Sequence, residues 1–333
     1  MWFARREHAA GERRMEVAKR CGPNGGLCQF GRVGLVFGFG RYLNLHVLCA
    51  WGPMFAWPHW RLRPNENLNP TEKGTQMRRP TAINAWYGWV PDRPDQRDQL
   101  YSTIAAPPRT LPRAVDLRPT CSPVEDQGRL GSCTSNALVG SLEFLERKAG
   151  KRVTDLSRLF VYYNERALEG TINEDAGAMI RDGVKTLVKL GVCTEKKWGY
   201  DIGKFAVKPP AACYRQALSH QLQSYHRLLT LQEMRSCLAE GYPFVFGFTV
   251  YEAFESRAVA KTGQLNLPKR REKTLGGHAV MAVGYSDASK RFLVRNSWGS
   301  DWGQQGYFTM PYAYLDDRNL ADDFWTLRGL ENT

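Results

Sequence analysis

The chain has 333 residues, 43% of them apolar, enough to bury a full core in one large domain or two smaller ones, which excludes a disordered or fibrous protein. Its formal charge of +13 is concentrated at one end: residues 1–80 hold 13 Lys and Arg against 5 Asp and Glu. No nucleic-acid-binding module surrounds that basic segment, and eight cysteines are too few for a disulfide scaffold.

Residues 1–76 read as an N-terminal extension of doubtful standing, because Met77 opens a stretch more like a protein start than Met1 does. The most apolar part, 33–57, is interrupted by Arg41, Asn44, His46 and several glycines, so no membrane span is expected. It also lacks the clean small-residue cleavage site of a secretory signal, and cytoplasm, periplasm and exterior all stay open. Residues 77–110 follow as a proline-rich arm carrying Trp86, Tyr87, Trp89 and Val90, with no sustained helical or strand period.

A compact region begins at residue 111 and runs to 333. Ser132 is placed to cap a helix that carries Cys133 in its first turn. Its apolar residues Ala137, Leu138, Leu142 and Leu145 are helically spaced, and Gly150 is placed to stop it. Further helices are predicted over 157–168, 177–190 and 231–240. After Gly241 the pattern becomes short β-rich runs at 243–250, 278–285, 291–298 and 306–310. Helices first and strands afterwards predict an α+β fold of two lobes, about 111–225 and 226–325, with a cleft between them. Cys121, Cys193, Cys213 and Cys237 show no metal-ligand spacing, so they are expected as buried thiols, with one or two disulfides also open to them; neither metal nor cofactor is expected.

Three blocks carry chemistry. Cys133 sits in QGRLGSCTSNA, six residues after Gln127, and a helix N-terminus stabilises the thiolate that is the reactive form of cysteine. Gln127 could join the Cys133 backbone N–H in holding an oxyanion. His278 heads a β-rich run in GGHAVMAVGY, and FLVRNSWGSDWGQQGYF supplies Asn296, flanked by Trp298 and Trp302. An asparagine oxygen accepting from one ring N–H would leave the other ring nitrogen facing Cys133, shielded by an indole. Taken singly, Cys133, His278 and the tryptophans could each be ordinary core residues.

Together these blocks make the region from about 111 to 325 resemble the papain-like cysteine peptidases, in a bacterial-type branch. The resemblance implies a helical left lobe bearing Cys133 and a β-barrel-like right lobe bearing His278 and Asn296. It also implies a peptide or protein substrate lying extended between the lobes, and hydrolysis through an acyl-enzyme. By the same resemblance Gly177 would pair with substrate backbone, while Met179, Ile180 and Ala279 would line an apolar pocket.

Two positions depart from the family: Leu130 stands where a second cysteine is usual, and Thr134 where an aromatic is usual. A long helical propeptide is not apparent either. The arm, through Trp86, Tyr87 and Trp89, is then expected to pack on or across the cleft, against the competing reading of an exposed linker. Rival functions are a catalytically silent peptide-binding module, a thiol acyltransferase or deamidase on the same fold, and a nucleic-acid binder driven by the basic N-terminus.

Overall fold

The computed structural model describes residues 87–331 apart from 106, 107, 109 and 153. The extension 1–76 and the start of the arm, including Trp86, lie outside the described residues. Among the described residues no helix is long and apolar enough to cross a membrane, and the five cysteines are all buried and unbridged.

The elements follow in the order β1 (Ala114–Asp116), α1 (Cys133–Lys148), α2 (Arg158–Glu169), α3 (Ile180–Lys189), α4 (Ala211–Ala217) and β2 (Leu222–Arg227). Then come α5 (Leu231–Ala239), β3 (Phe244–Tyr251), α6 (Arg257–Thr262), β4 (Thr274–Ser286), β5 (Arg291–Arg295), β6 (Tyr307–Pro311), α7 (Tyr312–Asp316) and β7 (Ala321–Leu330). The strands pair antiparallel in the order β2-β7-β3-β4-β5-β6, with β1 added alongside β4. The sheet is open, with β2 and β6 as its ends, so the β-barrel-like expectation becomes a sheet that does not close. Residues 114–116, in the stretch assigned from sequence to the helical lobe, belong to this sheet.

The middle strands read as continuous apolar runs because both faces are covered. Phe244, Phe246 and Phe248 of β3, with Val280 and Ala282 of β4, build one core with Phe254, Phe292, Phe308 and Phe324. Val245, Ala279, Met281 and Val283 turn the other way and meet Cys133, Leu138, Leu142 and Phe144 of α1. Helix α1 is therefore clasped between the sheet and the other helices, and all but its last two residues are buried.

The helix ends correct the expected boundaries. Ser132 precedes α1 but its side chain does not cap it: the hydroxyl pairs with the Tyr200 hydroxyl at 2.5 Å and receives the Asn136 amide at 3.1 Å. Helix α3 starts at Ile180 rather than at 177, because the backbone of Ala178 is bonded to the arm on both sides and Met179 N–H donates to Glu169 Oε1 at 2.8 Å. Strand β5 stops at Arg295, short of 298, because Asn296 to Trp298 turn away to meet the loop before α1. There Gln127 N–H donates to Ser297 O at 2.9 Å, and Trp298 bridges Asp126. That turn brings the Gln127 and Asn296 segments side by side.

Candidate active site

The start of α1 and the start of the apolar half of β4 meet at the line between the lobes. Cys133 is wholly buried, and its Sγ accepts the backbone N–H of Ala279 at 3.3 Å. His278, the preceding residue, is also wholly buried, and its Nε2 bonds Asn296 Oδ1 at 2.8 Å. Because an amide oxygen only accepts, Nε2 carries the proton and Nδ1 the lone pair. Nδ1 has no hydrogen-bond partner. Phe248, Phe254, Trp298 and Tyr87 surround the ring, with Trp298 at 5.1 Å between centroids and Tyr87 edge-on at 6.0 Å. Gln127 is buried beside this group, its Oε1 accepting from Ser297 Oγ at 2.6 Å and its Nε2 donating to Leu130 O at 2.9 Å.

Residues 87–90 run across this group as an extended strand bonded to both lobes. Gly88 O accepts from Ala178 N–H at 2.8 Å, Val90 N–H donates to Ala178 O at 3.0 Å, and Trp89 N–H donates to Gly277 O at 2.9 Å. Tyr87 hydroxyl donates to the Glu255 carboxylate. Beyond the cleft, Trp325 Nε1 donates to Asp92 Oδ2 at 2.8 Å. Asp98 is held between Arg181, at 2.8 and 2.5 Å, and Arg227, at 3.1 Å. Tyr101, fully buried, donates to Glu240 at 2.6 Å.

With the arm in place both central groups are uncharged at neutral pH. Burial pushes the Cys133 thiol up to about 12, although N–H groups of Ala279 and Gly88 favour its thiolate. Burial pushes the His278 imidazole down to about 4, against the opposing effect of the Asn296 bond.

Comparison with known proteins gives the arrangement a family. Residues 111–322 match the model of the papain family cysteine proteases. The chain belongs to that family. This papain-family protease is 43% identical over 274 residues to an uncharacterized peptidase C1-like protein of Acanthamoeba polyphaga mimivirus, covering 74% of this chain and 88% of that one. It is 41% identical to xylellain, a cysteine protease from Xylella fastidiosa, whose crystal structure superposes with a TM-score of 0.69 over 73% of this chain and 96% of that one. With the digestive procathepsin L 3 of Tenebrio molitor it shares the fold, at 19% identity and a TM-score of 0.57 over 74% of this chain and 77% of that one.

In this protease Cys133, His278, Asn296, Gln127, Ala279 and Trp298 come together, while other expected residues stand elsewhere. Backbone pairing with the arm falls on Ala178, not Gly177. Gly177, at φ +71°, instead lies so close beneath the arm that a Cβ would meet Gly88 O at 2.2 Å. Ile180 is in the core with α1, Met179 precedes α3 at the helix boundary, and Trp302 is buried edge-on to Trp298, at 5.3 Å. Val90 points outward and is 37% exposed, so only its backbone serves the contact. Sequence reasoning missed Ala178, Gly247, Glu255 and Asp323. The only sequence signal for Asp323 is an acidic pair inside the apolar run of β7.

Proposed function

We propose that this papain-family protease cleaves peptide bonds with Cys133 as nucleophile, and that residues 87–101 hold it inactive until they leave the cleft. What supports both parts is one observation: an extended segment, hydrogen-bonded to Ala178 on one side and Gly277 on the other, passes over the Cys133 sulfur. A cleft that binds extended backbone in this way suits a peptide substrate.

Once the arm leaves and water enters, the burial that keeps thiol and imidazole neutral is relieved, and the helix N-terminus favours the thiolate. The Cys133 sulfur attacks the scissile carbonyl carbon, forming a C–S bond. The Gln127 amide and the Cys133 N–H stabilise the resulting oxyanion. His278, protonated at Nδ1 and oriented through Nε2 by Asn296, gives its proton to the leaving nitrogen as the C–N bond breaks. The same Nδ1 then takes a proton from water, whose oxygen displaces sulfur and frees the acid product.

The test is labelling by a peptidyl epoxide under reducing conditions with mass mapping, on the full chain and on Cys133→Ala and His278→Ala. Modification at Cys133 that collapses in His278→Ala supports the proposal. Absence of labelling in every form, including one with the arm destabilised, would leave a silent peptide-binding cleft instead.

A further inference from the structure

The side chain of Trp89 fills a slot made by missing side chains. Its indole lies flat on Gly247 of β3, where a Cβ would fall 2.0 to 2.3 Å from three ring atoms. On Gly277 a Cβ would fall 2.8 Å from Trp89 Cε3. A glycine in the interior of a central strand weakens it, and close approach of another group is what justifies one there. At the end of the slot Trp89 Nε1 donates to Asp323 Oδ2 at 3.0 Å.

Asp323 is not an ordinary surface acid. It is 1% exposed, its backbone lies at φ +57°, and Arg227 donates to its other oxygen, Oδ1, at 3.0 Å. With the arm docked, Oδ2 accepts from Trp89 Nε1 and from Asp92 N–H at 2.7 Å. Both donors belong to the arm and leave with it. An occupant that restores a donor to Oδ2 repairs this loss, and an aliphatic one does not.

Resting on the proposed protease function, we infer that Asp323 and Gly247 make this slot a specificity pocket for a large, flat substrate side chain ending in a neutral N–H donor, tryptophan above all. A second guanidinium is disfavoured, because Arg227 already neutralises Asp323. When the arm departs Arg227 loses its Asp98 partner but keeps Asp322 and Asp323, and Arg318 also pairs with Asp322, so the two carboxylates are already matched by two guanidiniums. The arm inhibits by offering the slot its preferred occupant in advance.

The test uses the full chain carrying Trp89→Ala, which empties the slot, with peptide substrates that differ only in having Trp, Phe, Leu or Arg at one position, scanned along the peptide. At one position kcat/KM for Trp should exceed that for Leu and Arg by about tenfold or more, the discrimination expected where a buried polar group would otherwise lose its partner. Adding Asp323→Gly, compatible with the positive φ, should bring the Trp to Leu ratio close to one. Adding Gly247→Ala should cut Trp turnover more than Leu turnover. Equal ratios with and without Asp323, or a Trp89→Ala background that prefers Leu or Arg, overturn the inference while the protease function stands. No cleavage and no epoxide labelling of Cys133 in Trp89→Ala would instead remove the function on which it rests.

Discussion

Gly88 passes the carbonyl oxygen of Gly131 so closely that a Cβ built on it would lie 1.7 Å from that oxygen. The two glycines form the point where the arm crosses in front of the helix bearing Cys133. Neither backbone can retreat, since Gly88 O is tied to Ala178 and Gly131 N–H to both oxygens of Asp175, at 3.0 and 3.1 Å.

A methyl group at that crossing should lift the arm. Gly88→Ala is expected to raise the rate of epoxide labelling at Cys133 by about tenfold or more relative to wild type, the equivalent of weakening the arm by at least about 1.4 kcal/mol. An unchanged labelling rate would mean that the arm does not govern access.

The ring of His278 should matter more than its holder. Once the arm is loosened by Gly88→Ala, His278→Ala should lower peptidase turnover by about 10²- to 10⁴-fold, the usual contribution of a positioned acid–base group. Asn296→Ala should cost less and should also move the pH profile, because the bond to Nε2 fixes which nitrogen carries the proton. A larger loss for Asn296→Ala than for His278→Ala would contradict these roles.

The grip of the arm should weaken as pH rises. Burial, and then the neighbouring Asp323 carboxylate, push Asp92 up to about 7, whereas a free aspartate titrates near 3.9. The raised value belongs to the docked state, so docking takes up a proton between these pH values. The grip is full below the lower one and is lost progressively as pH climbs through the higher. Thiolate–imidazolium and thiol–imidazole forms of Cys133 and His278 hold the same number of protons, so exchange between them adds no slope. Labelling of Cys133 by a peptidyl epoxide, followed by mass spectrometry, should accelerate from pH 6 to 8 more in wild type than in Asp92→Asn. Parallel profiles in the two proteins would discard Asp92 as the group responsible.

Glu165 offers a stability prediction beneath the same helix. It is fully buried; its Oε1 accepts from Thr134 Oγ1 at 2.6 Å, while Oε2 has no partner. Burial pushes its pKa well up, so the stability it contributes is present at low pH and is lost as pH rises through the folded-state value. Glu165→Gln keeps the shape and the acceptor without the ionisation. Its melting temperature should exceed that of wild type by a few degrees at pH 8, with the gap closing toward pH 4. A constant gap across that range would show that Glu165 does not titrate with folding.

Much of the candidate site was legible because its parts are local. Glycines around Cys133 and His278, the helix start at 133 and the asparagine before a tryptophan each announce themselves within a few residues. What stayed hidden depends on pairing across the chain. Strand β7 escaped notice because Asp322 and Asp323 interrupt its apolar pattern, and both are held there by the Arg227 guanidinium of β2. Strand β2 has only alternate, partial burial in a polar sequence. Ala178 could not be told from Gly177 without the arm beside it, since the choice rests on which amide faces Gly88. The position of Thr134, a departure from the family pattern, became intelligible only with Glu165 in view.

Strand β7 sits between β2 and β3 yet follows every other described strand in the chain. It brings Asp323 and Trp325, which anchor Trp89 and Asp92. During synthesis the arm emerges long before Cys133, His278 and Asn296, but the part of its seat that holds Trp89 and Asp92 is made only after all three. Cys133, His278 and Asn296 are therefore all made before the arm has its full seat, and the strand inserted between β2 and β3 is also the one that holds Trp89 and Asp92. The order of the chain thus ties the docking of the arm to the completion of its fold.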